Sequence, residues 1–150
     1  MTRVLKPSDQ AAVVGVIDPD AQTAAAYSTG WIDMASFDKL LAIVQAGALG
    51  TSATLDAKLE QAQDGSGTGV KDIAGKAITQ LTEAGADSDK QALINLVGEE
   101  LDVTNGFTHA RLTVTVAVAT SDASAIVLGF TARYAPGSDT DLASVAEIVG

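Results

Sequence analysis

Phe107 to Tyr134 holds two long runs of alternating residues set around Thr120-Ser121-Asp122-Ala123. In the first run Ala110, Leu112, Val114, Val116 and Val118 share one side, and His109, Arg111, Thr113, Thr115 and Ala117 share the other. Ile126, Leu128, Phe130, Ala132 and Tyr134 continue the apolar series in the second. Successive side chains of a strand face opposite sides, so the spacing predicts a β-hairpin in a sheet with one buried face and one largely polar face. This is the signature of a scaffold, and no catalytic or ligand-binding motif accompanies it.

A chain of 150 residues fits one domain, and a domain of this size removes roughly 70% of its unfolded surface from water on folding. Cysteine is absent, which excludes disulfides and thiolate metal sites. There is neither an apolar run long enough to cross a bilayer nor a charged leader followed by an apolar stretch, so a soluble, unexported protein is expected. Nine basic residues against nineteen acidic ones give a net charge of −10, which repels phosphate backbones and anionic lipid. Nucleic acid and membranes are therefore not expected partners.

Along the chain, residues 1–10 carry Arg3, Lys6 and Pro7 and read as a loose N-terminal arm. Residues 11–135 form the predicted β domain. Within it Ala11 to Ile17 is a strand stopped by Asp18-Pro19-Asp20, and Tyr27 to Met34 is a second strand. Ser36 to Ala46 suits either a capped helix or a buried strand. Ala53 to Gln61 alternates strictly and favours a strand. Asp64-Gly65-Ser66-Gly67-Thr68-Gly69 reads as a mobile loop, because its three glycines lift the usual backbone restrictions. Asp72 to Leu81 offers only Ile73, Ile78 and Leu81 as large anchors, and Gln91 to Val97 suits a strand, with a short helix starting at Ser88 as the alternative. Pro136-Gly137-Ser138-Asp139 ends the sheet. In the tail, residues 136–150, Leu142, Val145, Ile148 and Val149 lie at helical spacing behind Asp141, and this segment either docks on its own domain or is exchanged with a neighbour.

Candidate chemistry is sparse. His109 is the single histidine and has no partners at metal-ligand spacing. The Gly-x-Ser-x-Gly elbow is missing, and Gly69 is followed by Val70-Lys71, not by the Lys-Ser/Thr of a phosphate loop. Asp18 with Asp20, and Asp87 with Asp89, offer oxygen pairs for Ca²⁺, but the EF-hand order is absent and turn chemistry accounts for them. Trp31, Tyr27 and Phe37 are either core or an exposed platform for a sugar ring. No nucleophile, base and orienting group come together, so no enzyme, catalytic residue, cofactor or metal is assigned.

Gly30-Trp31-Ile32-Asp33-Met34, Phe37-Asp38-Lys39-Leu40, Gly47-Ala48-Leu49-Gly50 and Leu55-Asp56-Ala57-Lys58-Leu59-Glu60-Gln61-Ala62, with Ala125 to Pro136, resemble small virion proteins of tailed bacteriophages and prophages. The resemblance implies a mainly β, two-sheet sandwich of jelly-roll type, with seven to nine strands; an α+β fold follows if Ser36 to Ala46 and Ser88 to Leu101 are helices. It further implies a non-enzymatic head decoration or cement protein on the capsid exterior, made in the bacterial host cytoplasm. Its partners would be the major capsid protein and further copies of itself, a trimer being one form. Contacts would then come from Arg3 and Lys6 of the arm and from Leu142, Val145 and Ile148 of the tail. A tail-associated virion protein and a carbohydrate-binding sandwich module are the alternatives.

Overall fold

The computed structural model describes residues 4–150. Its strands follow the chain as β1 (Ala11–Gln22), β2 (Ala25–Ser28), β3 (Ile32–Asp33), β4 (Phe37–Ala46), β5 (Thr54–Ala62), β6 (Lys71–Ala77), β7 (Leu81–Thr82), β8 (Gln91–Val97), β9 (His109–Ala117) and β10 (Ser121–Ala132). The first sheet has the order β1-β10-β4-β8 and the second β2-β9-β5-β6, with β3 and β7 adding short pairings to β9 and β5. Every pairing is antiparallel. The protein is thus a mainly β, two-sheet sandwich.

The strand order is that of a long ribbon rolled on itself. β1 is joined to β10, β2 to β9, β4 to β8 and β5 to β6, so strands of the first half pair with strands of the second in reverse sequence. Rolling this ribbon sends alternate segments to opposite sheets, which is jelly-roll topology. Both segments that left a helix open are strands: β4 fills the Ser36 to Ala46 window and β8 occupies Gln91–Val97. A short 3₁₀ turn at Gly98–Glu100 is the helical part of the second window.

The predicted hairpin is corrected. β9 lies in the second sheet and β10 in the first, and they do not pair. The connection turns at Val118, a residue 71% exposed whose φ of 74° lies in the left-handed region. It is braced from the side by the Gly50 N–H, which donates to the Ser121 hydroxyl at 3.0 Å. A Cβ on Gly50 would meet the Thr120 carbonyl oxygen at 2.4 Å, so only glycine fits under this corner.

The face assignment holds for β9 and is inverted for β10. Ala110, Leu112, Val114 and Val116 are buried, as the alternation requires. In β10 the buried set is instead Ser121, Ala123, Ala125, Val127 and Gly129, while Ile126, Leu128 and Phe130 take the outer face. Both phases of β10 are apolar, so periodicity alone does not choose between them; volume does. The inner side of β10 is crowded at Gly129 by Phe37, whose ring lies 2.7 Å from where a Cβ would stand. A large side chain at 129 does not fit, and the inward residues beside it are mostly small.

The core between the sheets contains Leu40, Val44, Leu96 and Val127 from the first sheet, and Leu55, Leu59, Leu112, Val114 and Val116 from the second. Burial of each such side chain stabilises the fold by about 1.5–3 kcal/mol. Three further segments differ from expectation. Tyr27 to Met34 divides into β2 and β3, and β1 runs past Asp18-Pro19-Asp20 with a register shift between Ile17 and Asp20 in place of a stop. The tail forms no helix beyond a 3₁₀ turn at Gly137–Thr140, because Asp141 is drawn into β1 and does not cap a helix.

Candidate functional site

The two sheets present different outer surfaces. On the first sheet, register sets Val16, Ile126, Ile43 and Leu93 side by side in one row across all four strands. The next row is Val13, Leu128, Leu41 and Asn95, and the third is Ala11, Phe130, Lys39 and Val97. Leu93 is 60% exposed and Ile126 39%, and the only charge in the three rows is Lys39. A shallow groove of about 360 Å³, lined in part by Val16, Ile43 and Ile126, opens on this face. Cross-strand pairs such as Ile43 with Ile126 contribute about 0.2–1 kcal/mol each and leave much of their surface outward.

The outer face of the second sheet is polar, and most of its polar groups pair with one another. Glu60 stands opposite Arg111 across β5 and β9, its Oε2 3.6 Å from the guanidinium, and its Oε1 accepts the Thr113 hydroxyl. Thr113 Oγ1 also lies 2.8 Å from Ser28 Oγ. The Arg111 guanidinium stacks on Trp31, 4.5 Å from the ring centroid, while Arg111 Nε is buried without a partner among the described residues. A Cβ on Gly67 would lie 2.9 Å from Trp31 Nε1, so the glycine loop covers the indole edge. Trp31 is therefore half-buried under Arg111 and does not form an open stacking platform with Tyr27, whose hydroxyl donates to the Thr23 carbonyl at 2.9 Å.

The glycine loop expected to be mobile is tied by Asp64, whose carboxylate accepts the Ser66 and Thr68 N–H groups and the Thr68 hydroxyl at 2.6 Å. These bonds, led by the Thr68 hydroxyl, hold the Asp64 carboxyl below the usual carboxylate range. Asp87 is lowered in the same way by Lys90 and the Thr82 N–H, and Asp102 by Lys71 and Asn105. Among the residues considered for Ca²⁺, Asp87 is thus turned to Lys90 and Thr82, and Asp20 to the Ala21 N–H at 2.8 Å. His109 Nδ1 is 2.8 Å from the Thr108 hydroxyl. Among the described residues no group of three metal-ligating side chains forms.

Of the contact residues assigned from the sequence, Arg3 lies outside the described residues. Lys6 belongs to the segment leading into a helical turn at Pro7–Gln10, and its ammonium lies against Gly150. The Leu142 N–H donates to the Val13 carbonyl, and the Val145 N–H donates back to Leu142. Ile148 is exposed further along the tail. The outer row through Ile126 and Leu93 was not singled out from the sequence; the register that aligns the four strands is what reveals it.

No protein-family model matches the chain, and no curated protein matches it in sequence. Among solved structures, it is similar to an infectious bursal disease virus (Gt strain) structure at 13% identity and a TM-score of 0.42, over 92% of this chain and 36% of that one. A cowpea mosaic virus empty-particle structure matches at 9% identity and TM-score 0.42, over 87% of this chain and 88% of that one. The CBM22-2 xylan-binding domain of Paenibacillus barcinonensis Xyn10C matches at 11% identity and TM-score 0.41, covering 74% and 76%. These are distant structural similarities to viral capsid proteins and carbohydrate-binding modules, and the jelly-roll assignment stands on the strand order itself.

Proposed function

We propose that this chain is a non-enzymatic bacteriophage virion protein, a capsid decoration or cement protein that attaches to the outer surface of the head. The observation that supports this is the apolar outer face of the first sheet. Contiguous apolar surface on a soluble chain marks an interaction site, and this one runs across four strands of a protein that otherwise carries a net charge of −10. Its partner in this reading is the major capsid protein. Binding to the assembled shell but not to free subunits stabilises the head by mass action.

The test is addition of the purified chain to heads that lack it, followed by sedimentation and thermal disruption of the particles. Saturable binding and a raised disruption temperature are expected. Leu128→Asp is expected to weaken binding about 100-fold or more, while Thr54→Lys on the outer face of the second sheet leaves it unchanged. Failure to bind any virion surface overturns the proposal.

A further inference from the structure

Sheet edges expose main-chain N–H and C=O groups to any chain that can pair with them. At the β1 edge of the first sheet Val13 is covered: its N–H donates to the Asp141 carboxylate at 2.6 Å, and its carbonyl accepts the Leu142 N–H at 2.8 Å. The β8 edge is different. The Ala46 N–H donates to the Lys90 carbonyl at 2.9 Å, and with the β4–β8 register this directs the main-chain groups of Ala92, Ile94 and Leu96 at β4. Those of Gln91, Leu93 and Asn95 point outward and have no main-chain partner among the described residues. The strand has no charge, proline or bulge, the devices that usually blunt an edge.

We propose that two copies of this chain pair β8 to β8, antiparallel about a two-fold axis. The occupant follows from the strand's own symmetry. The outward-bonding residues are Gln91, Leu93 and Asn95, all on the same face, so antiparallel self-pairing sets like face against like. Centred on Ile94, it puts Ile94 against Ile94 on the core side and Leu93 against Asn95 on the outer side, with about six new main-chain hydrogen bonds. The ladder itself is neutral, so self-pairing in this register sets no like charges against each other within it. The result is an isologous dimer in which the first sheet continues through both molecules.

This inference is independent of the capsid proposal, since a dimer that ignores heads and a monomer that binds them are separable results. Sedimentation of the full chain from about 1 μM to about 1 mM is expected to show the mass rising from one chain to two. Asn95→Pro removes an outward N–H and no bond to β4, and Leu93→Lys places charge on the ladder; each is expected to weaken association at least about tenfold with the circular dichroism retained. Constant one-chain mass, or a dimer unaffected by both substitutions, overturns the proposal. If either variant does not fold, hydrogen exchange of the unmodified chain decides. The Leu93 and Asn95 amides should slow about tenfold once nine-tenths of the protein is dimeric, and rates independent of concentration overturn the proposal. An unrelated extended peptide that protects these amides while the chain alone remains monomeric also overturns it.

Discussion

The two sheets share a core but turn opposite characters outward. The second sheet spends its outer face on contacts with itself: Glu60, Arg111, Thr113, Ser28 and Trp31 pair, bond or stack among themselves. The first sheet carries Val16, Ile126, Ile43 and Leu93 outward with no such closure. Polar groups that already hold one another have little left to offer a partner, whereas outward apolar side chains gain only when something covers them. In the proposed reading, the sheet whose exterior is least closed on itself is the one that associates.

Substitutions on inner and outer faces should separate these roles. The largest effect is expected from Leu112→Ala, which empties a fully buried position of the second sheet and should cost about 2–5 kcal/mol in denaturant unfolding. A loss under about 1 kcal/mol would mean that the core does not lie where the burial places it. Gly129→Ala should cost about 1–3 kcal/mol, because the new methyl meets the Phe37 ring; a neutral result would show that the inner side of β10 is loosely filled.

On the polar exterior, Thr113→Val takes a hydroxyl from the buried Glu60 carboxylate and from Ser28, and about 1–3 kcal/mol of stability should be lost. On the apolar exterior, Ile126→Thr should change monomer unfolding by no more than about 1 kcal/mol while reducing binding of a hydrophobic dye. A large stability loss there would break the contrast between the faces.

The smallest expected effect is acid sensitivity at exposed turns. Asp64, Asp87, Glu100 and Asp102 are each more acidic in the folded protein than in the free chain, owing first to Thr68, Lys90, Lys76 and Lys71 respectively. Their contribution is full above the ordinary carboxylate pKa of about 4 and is lost as pH falls through their lower folded values. Thermal melts should therefore decline below about pH 4, and Asp64→Asn should flatten part of that decline. An unchanged acid profile would show that the Thr68 bonds do not hold the loop.

Much of the fold was legible because strand alternation is a local property. The phase of β9, the strict alternation of β5 and the bounds of β8 all follow from neighbouring letters. What was not legible depends on distant residues. The apparent hairpin of β9 and β10 fails because each strand finds its partner in the first half of the chain. The inner side of β10 is decided by Phe37, which is remote in sequence, and Asp141 leaves its helical pattern to bond Val13. The polar cluster was visible only as scattered types, since Glu60, Arg111 and Trp31 meet through pairing across β5, β9 and β3. The apolar exterior row stayed hidden for the same reason: four separate strands each contribute one residue to it.

The rolled ribbon also sets the timetable of synthesis. Among the described residues β1 has β10 as its sole sheet neighbour, so it leaves the ribosome roughly a hundred residues before its mate. At about 5–20 residues per second that delay is on the order of 5–20 s, during which β1 has no mate. Translation speed through the latter half of the message thus governs how long the nascent polypeptide is open to mispairing.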